Sequence, residues 1–241
     1  MVSSRSNETG YSFSRGIKDG IPIALGYLSV SFTFGMAAVS SGLPVSVAVL
    51  ISMTNLTSAG QFAGLSLIVS GAPLIEMALT QLVINLRYAL MSLSLSQKLD
   101  RTVTLLDRFI ISFGNTDEIF AVAMSRKHDV GRRYLYGLIT TPYFGWAFGT
   151  FLGAAAGTFL PEYIKSALGI AIYGMFLAII IPPSKRSRPV LGVVLLASAM
   201  SCLFRFTPLL REISSGFVII ICALVAAGLG AALRPVEGET E

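Results

Sequence analysis

Residues 72–96, APLIEMALTQLVINLRYALMSLSLS, decide the fold, because this long apolar stretch carries only two charged residues, Glu76 and Arg87. About 20 predominantly apolar residues are enough to cross the hydrocarbon core of a bilayer as a helix. The stretch therefore predicts a transmembrane helix that holds two charged side chains at membrane depth.

The composition of the whole chain agrees with a membrane protein. Of its 241 residues, 54% are hydrophobic and 13% are charged, and the mean hydropathy is +0.73. An average soluble domain carries about 25% charged residues. The shortage of charge excludes a disordered protein, a nucleic-acid binder and a charge-coated soluble enzyme. Two Cys and one His exclude a disulfide scaffold and a Cys-based zinc site. We therefore expect no metal and no cofactor.

Apolar segments follow one another along the chain, separated by proline, glycine or charged runs. Proline removes a backbone donor and disfavours helix at the preceding residue, so these breaks mark span ends. The fold class predicted is an all-α, polytopic membrane helix bundle of about 7–8 segments, some of them broken or re-entrant. The segments lie at roughly 20–42, 43–70, 72–96, 109–125, 134–160, 166–183, 189–206 and 213–233.

The domain organisation predicted is one transmembrane domain, residues 20–233, between two polar tails. Residues 1–19 contain no apolar core followed by a cleavage site, so they are interpreted as a cytoplasmic tail. Residues 234–241 form the polar C-terminal tail. No internal repeat is visible.

Two of the segments are doubtful as simple crossings. Segment 43–70 is rich in Ser, Thr, Asn and Gly, and segment 109–125 is short and contains Gly114-Asn115-Thr116-Asp117-Glu118. Broken backbone at membrane depth is tolerated only where protein or a wet cavity satisfies it.

The distribution of basic residues predicts the orientation. If all eight segments cross, eleven Lys or Arg lie on the side of the N-terminal tail and six on the other, with loop 98–108 among the latter. The positive-inside bias then places both termini in the cytoplasm. Seven crossings would place the C-terminus outside.

Four ionisable residues fall inside the segments: Glu76, Arg87, Asp117 and Glu118. Each costs at least about 2.5 kcal/mol at the centre of a bilayer, so each needs a partner or a polar cavity. Glu76 and Arg87 are about 16 Å apart along a helix, which makes Asp117 or Glu118 the expected acceptor for Arg87. The four residues are candidates for proton coupling or for an intramembrane ion pair. Snorkelling of Arg87, a purely structural pair and an interfacial helix 109–125 remain alternatives.

Two polar stripes run along the helix predicted at 72–96. One contains Glu76 and Arg87, and the other contains Asn85. We therefore expect this helix to be enclosed by protein on both sides.

A cluster of neutral polar residues occupies positions 52–61. Amides and hydroxyls suit a zwitterionic substrate whose carboxylate is held by an exposed helix N-terminus. Thr57, Gly60 and Gln61, together with Asn85, are the candidate substrate-binding residues. Polar contacts between packed helices are the alternative.

A stripe of small residues recurs every fourth position, beside the only Trp of the chain. Such a stripe indicates close helix packing, either within the chain or against another membrane subunit. Its members are Gly145, Gly149, Gly153 and Gly157, with Trp146 adjacent.

Four of these motifs, in this order, resemble the AzlC family. They are Thr57-Ser58-Ala59-Gly60-Gln61-Phe62, Asn85-Leu86-Arg87-Tyr88, Thr116-Asp117-Glu118-Ile119-Phe120-Ala121, and Trp146 with its glycine stripe and Pro161. The similarity extends from about Gly16 to Leu233, nearly the whole chain.

The resemblance implies the large subunit of a bacterial branched-chain amino acid exporter in the cell membrane. It also implies a small AzlD-type membrane subunit as partner, and proton-driven transport of a small hydrophobic amino acid. A permease for another small substrate and a non-transporting scaffold or channel subunit remain alternatives. An enzyme is not expected, because the chain has no His-Glu-x-x-His or Walker sequence and its one His, His128, lies in a loop.

Overall fold

The computed structural model describes residues 12–159, 161, 163, 177, 180–208, 210 and 212–233. Both chain tails, 1–11 and 234–241, and most of the predicted segment 166–183 lie outside the described residues. The helices are α1 (Phe13–Ser40), α2 (Val45–Thr54), α3 (Ser58–Val69), α4 (Leu74–Ser96), α5 (Leu105–Phe113), α6 (Asp117–Met124), α7 (Arg132–Phe159), α8 (Arg188–Phe206) and α9 (Ser215–Leu233).

The all-α membrane fold predicted from the sequence is confirmed in the described part of the chain. Four helices, α1, α4, α8 and α9, are long and apolar enough to span a membrane by length and composition. Helix α1 begins at Phe13, whereas the predicted span begins at residue 20. Its N-cap is Ser12, whose side chain accepts a hydrogen bond from the Arg15 backbone N–H.

The chain divides into two compact units. The first comprises Met1–Gln61 and Leu86–Pro161, and the second comprises Phe62–Asn85 and Glu162–Glu241.

Helices α1 and α7 form the framework of the first unit and run parallel. Near the start of both, Gly16 lies against Tyr134, and near their ends Gly35 lies against Thr150. A methyl group on Gly35 would overlap the Thr150 carbonyl oxygen. The two backbones therefore approach so closely that no side chain fits at position 35. At 28 residues each, both helices extend about 42 Å, which exceeds the hydrocarbon core of a bilayer.

The polar middle of segment 43–70 is a chain reversal, which we call the first break (residues 55–57). Ser52 and Gln61 are nine positions apart but hydrogen-bonded at 2.8 Å. In a continuous helix they would be about 13 Å apart. Helix α2 therefore leads from the end of α1 toward the middle of α7, and the chain turns back there.

Segment 109–125 is also interrupted, at the second break (residues 114–116) between α5 and α6. Helix α5 runs parallel to α7, because Tyr136 bonds Asp107 and Ile139 lies against Gly114.

Helix α6 runs antiparallel to α1. Tyr27 bonds Glu118 at the start of α6, and Asp19 bonds Arg126 just past its end. Because α1 and α7 are parallel, α5 and α6 form a hairpin that enters and leaves on one side.

The hairpin overturns one expectation from the sequence, namely that loop 98–108 lies on the opposite side from the N-terminal tail. Leu99 pairs with Val130 in a parallel bridge, and the Arg132 backbone N–H donates to Thr102 Oγ1. Loop 98–108 therefore lies on the same side as loop 126–133 and the start of α1. Segment 109–125 is apolar, but it folds as two antiparallel halves and not as one continuous helix.

In the second unit, α8 packs on α9. Glu76 is buried and fixes the start of α9, because the Ser214 hydroxyl and the Gly216 N–H both donate to its Oε1, at 2.5 and 3.0 Å. A carboxylate at a helix N-terminus is stabilised by the unpaired N–H groups and by the helix dipole.

The expectation that α4 is enclosed by protein on both sides is wrong. Leu82, Leu86 and Leu90 lie on one face of α4 and are 62%, 52% and 63% exposed. Leucines at this spacing form an apolar stripe of the kind that faces lipid.

Candidate transport site

The second break lies beside Tyr27, in the middle of α1. The Tyr27 hydroxyl is hydrogen-bonded to Thr116 Oγ1 at 2.6 Å and donates to Glu118 Oε2 at 2.5 Å. Since a hydroxyl has one proton, the Thr116 hydroxyl is the donor of the first bond when Glu118 is ionised. Tyr27 is about 21 Å from the first residue of α1, which places this contact at half the length of the helix.

The first break also lies against Tyr27, and it approaches Tyr27 from the C-terminal end of α1. Leu56, Tyr27 and Trp146 form one buried cluster. The Tyr27 and Trp146 rings meet edge to face with centroids 5.0 Å apart. Tyr27 thus contacts both interrupted segments.

A buried chain of hydrogen bonds holds the first break against α7. Trp146 Nε1 donates to Gln61 Oε1 at 2.7 Å, and Gln61 Nε2 donates to Ser52 Oγ at 2.8 Å. Ser52 Oγ and Thr150 Oγ1 are 2.6 Å apart. All four residues are at most 3% exposed. The network satisfies the amide of Gln61 in a site where an unpaired polar group would cost about 1–3 kcal/mol.

A charged group lies next to the second break. Arg87 Nη1 is 2.7 Å from Asp117 Oδ2, with the two side chains 47% and 43% exposed. The Arg87 guanidinium also donates to the Tyr88 hydroxyl at 3.0 Å and lies 4.8 Å from the centre of its ring. Glu118 is exposed as well.

The depth of these exposed charges along α1 indicates what surrounds them. Tyr27, which bonds Glu118, is eight residues beyond Asp19, or about 12 Å along the helix. Exposed charges at that depth are incompatible with lipid and instead line a water-filled cavity or a protein surface.

A cavity of about 340 Å³ lies between the second half of α4 and α5. Its walls combine apolar side chains such as Leu93 and Phe109 with hydroxyls and one cation; the polar members are Ser92, Ser96, Arg108 and Ser112. Asn115, in the second break, donates to Ser92 Oγ at 3.2 Å. The volume lies in the range of small-molecule sites.

The four predicted substrate-binding residues are distributed over the two units. Gly60 and Gln61 are buried, and the Thr57 hydroxyl donates to Asn55 Oδ1 at 3.1 Å. Asn85 belongs to the second unit, where its Nδ2 donates to Gln81 Oε1 at 3.0 Å.

The predicted ionisable residues divide in the same way. Arg87, Asp117 and Glu118 lie together in the first unit, and Glu76 lies in the second.

The glycine stripe packs within the chain. A Cβ atom on Gly145 would meet Ala24 of α1, and one on Gly153 would meet Phe32. A Cβ atom on Gly149 would overlap Ser31 and Leu28, and Gly157 lies against Met36. Helix α1 covers this face, which leaves no room there for a second subunit.

The sequence analysis missed Tyr27 and Thr150 as members of these networks. Tyr27 and Glu118 are 91 positions apart, and a single aromatic residue in an apolar helix gives no pattern that marks it. Thr116 begins the motif 116–121 and is followed by two acidic residues. A threonine followed by acidic residues is typical of a helix N-cap.

The fold and the site define an integral membrane protein with interrupted helices and charged residues at membrane depth. A family model described as AzlC protein matches residues 22–160. The chain belongs to the AzlC family, a transport-related family of membrane proteins.

Relatives occur in bacteria and archaea. The chain is 27% identical to "Inner membrane protein YgaZ" of Escherichia coli K12, over 79% of this chain and 80% of that protein. It is 34% identical to an uncharacterized membrane protein of Archaeoglobus fulgidus, over 72% and 76%. A Helicobacter pylori membrane protein is 26% identical over 68% and 76%. No solved structure gives a significant match.

Proposed function

We propose that this chain is the large subunit of a proton-driven exporter of branched-chain amino acids in a bacterial inner membrane. The observation that carries the proposal is the group of exposed charges, Arg87, Asp117 and Glu118, at membrane depth beside a helix break. Ionisable residues inside a membrane mark ion or substrate pathways, and interrupted helices form the binding sites of many secondary transporters.

The cavity between α4 and α5 supports a small amphipathic substrate. Its apolar walls suit an aliphatic side chain, and Arg108 with the three serines suits a carboxylate. The bond from Asn115 to Ser92 links this cavity to the second break, beside the exposed charges. A valine or leucine held there would be close to the residues that couple its movement to an ion.

The orientation proposed has the N-terminus in the cytoplasm. With loop 98–108 on the side of the tail, ten basic residues gather there: Arg5, Arg15, Lys18, Lys98, Arg101, Arg108, Arg126, Lys127, Arg132 and Arg133. The positive-inside bias favours the cytoplasm for such a side. If neither interrupted segment crosses, the eight predicted segments leave an even number of crossings, so the C-terminus is proposed on the same side.

The partner proposed is a small membrane subunit of the AzlD type. Since α1 covers the glycine stripe, the partner would dock elsewhere on the chain.

Export of leucine and valine from cells that express this chain with its small subunit tests the proposal. Cells preloaded with labelled leucine should lose it faster than cells without the chain, and they should resist toxic leucine analogues.

Ala89→Phe, which fills the cavity, should abolish efflux. Leu90→Phe, on the exposed face of the same helix, should leave it unchanged. Equal efflux with and without the chain, for every hydrophobic amino acid tried, would show that the substrate class is wrong.

A further inference from the structure

The three carboxylates at membrane depth have different partners. Asp117 is neutralised by Arg87 at 2.7 Å. Glu76 is buried and held by a hydroxyl and a backbone N–H at the start of α9. Among the described residues Glu118 has no paired cation, and it accepts a hydrogen bond from a neutral hydroxyl, that of Tyr27. Of the three, Glu118 is the one that can gain or lose a proton without breaking an ion pair or a helix cap.

We propose that Glu118 is the residue that exchanges a proton during transport, and that Tyr27 is a positioning residue that transmits its charge state to both helix breaks. The inference rests on the proposed function and names the coupling residue of the same site.

The groups that face Glu118 come from three elements. Helix α1 contributes Tyr27, the second break contributes Thr116, and the adjacent residue of α6 is Asp117. Helix α4 contributes Tyr88, whose hydroxyl interacts electrostatically with both acids. The Arg87 guanidinium next to it is held by Asp117 and by the Tyr88 hydroxyl. Glu118 therefore faces two phenols, a hydroxyl and a neutralised ion pair.

The proton step changes hydrogen bonds at the second break. With Glu118 ionised, Tyr27 donates to its Oε2, and the Thr116 hydroxyl donates to Tyr27. Thr116 is the N-cap residue of α6, yet its side chain makes no capping bond, because its hydroxyl is directed to Tyr27. A hydronium ion from the aqueous phase gives a proton to Glu118 Oε2 and leaves as water, and the neutral carboxyl is then a weaker acceptor for Tyr27. Tyr27 can then turn its own proton to Thr116 Oγ1, so that the Thr116 hydroxyl no longer donates to Tyr27.

The same tyrosine carries this change to the first break. Its ring lies in one buried cluster with Leu56 and Trp146, and Trp146 donates to Gln61. A rotation of the Tyr27 side chain therefore repacks both breaks. The proton returns to water on the other side of the membrane, and no covalent bond of the substrate changes.

Transport by proteoliposomes that contain the complex of this chain and its small subunit tests the inference. Two readouts are compared: exchange of labelled for unlabelled leucine at equal pH, and accumulation of leucine driven by a pH gradient. Glu118→Gln should keep exchange, make it independent of pH and lose accumulation. Glu76→Gln should keep both readouts.

Tyr27→Phe checks the positioning role. It should keep accumulation, but the pH dependence of exchange should differ from that of the wild type, because Glu118 loses the hydrogen bond from Tyr27. Accumulation by Glu118→Gln at the wild-type level would overturn the assignment of Glu118. A pH dependence of exchange identical to that of the wild type in Tyr27→Phe would overturn the positioning role of Tyr27. Failure of the wild-type complex to exchange any amino acid would instead refute the proposed function.

Discussion

Arg126 Nη2 lies 2.8 Å from Asp19 Oδ2, which joins the start of α1 to the loop that follows α6. Tyr134, at the start of α7, donates to the same Asp19 oxygen at 3.0 Å. One carboxylate thus holds together three parts of the chain, all at one end of the parallel helices α1 and α7. The hairpin of α5 and α6 begins and ends at this end.

Labelling of single cysteines should reveal the hairpin. In a chain with Cys202→Ser and Cys222→Ser, the exposed positions Arg101→Cys and Lys127→Cys should react with a membrane-impermeant maleimide from the same side. Right-side-out and inside-out vesicles distinguish the two sides. Under the proposed orientation, that side is the cytoplasm.

Ser41→Cys provides the matched control for this labelling. Ser41 is exposed at the far end of α1, so it should react only from the opposite side. Reaction of Arg101→Cys from the same side as Ser41→Cys would mean that residues 105–124 cross the membrane as a simple span.

Close packing of α1 on α7 should make Gly35 intolerant of any side chain. A Cβ atom there would lie 2.7 Å from the Ala154 backbone nitrogen and 3.0 Å from the Thr150 carbonyl carbon. Overpacking of this kind costs about 1–3 kcal/mol of unfolding free energy. Gly35→Ala should therefore lower the thermal unfolding midpoint of the protein in detergent.

Gly26→Ala, in the same helix, is the matched control. A Cβ atom at Gly26 meets nothing within 4 Å, and alanine favours helix over glycine by up to about 1 kcal/mol. The midpoint of this variant should stay constant or rise. Equal losses in both variants would mean that a general effect on α1, and not its contact with α7, determines the result.

Asp107, outside the spanning helices, should make stability depend on acid pH. Hydrogen bonds from the hydroxyl of Tyr136 and from the hydroxyl and N–H of Thr104 lower the pKa of Asp107 to about 2. An unfolded Asp titrates near pH 4. The stabilisation is therefore complete above about pH 4 and is lost as the pH falls toward 2.

Asp107→Asn should unfold at a lower temperature than the wild-type protein between pH 5 and 7, with the difference shrinking below pH 4. Trp146 fluorescence in detergent reports the midpoint. Asp129→Asn, in an exposed loop, should show no such difference. A difference that stays constant from pH 7 to pH 3 would contradict the assignment.

The sequence predicted the class of fold and both interruptions, because apolar length and polar clusters are local signals. It failed on loop 98–108, since hydropathy reports that a segment is apolar but not whether the chain reverses within it. That reversal depends on contacts such as Leu99 with Val130 and Asp107 with Tyr136, which join distant positions.

The candidate site was predicted only in part for the same reason. Charge at membrane depth identified Arg87, Asp117 and Glu118 without their geometry. Gln61 had been predicted to bind substrate because it is polar inside an apolar segment. Its partners Trp146 and Ser52 already use both ends of its amide. A buried amide binds a ligand or stabilises the fold depending on the groups around it. The spacing of residues along the chain does not reveal those groups.

The Gln61 network can be tested by a double-mutant cycle with Trp146. Gln61→Leu leaves the Trp146 N–H and the Ser52 hydroxyl without their amide partner, and Trp146→Phe leaves Gln61 Oε1 without its donor. Each single change should cost about 1–3 kcal/mol of unfolding free energy. The double variant should lower the free energy of unfolding by less than the sum of the two single changes, with a difference of about 0.5–3 kcal/mol, because the second change removes a group that is already unpaired.

Thr54→Ala is the control, since it removes an exposed hydroxyl bonded within its own helix. Its effect on the free energy of unfolding should be additive with that of Trp146→Phe. If Gln61→Leu and Trp146→Phe were also additive, the bond between them would contribute nothing to the first break, and Gln61 would again be available to a substrate.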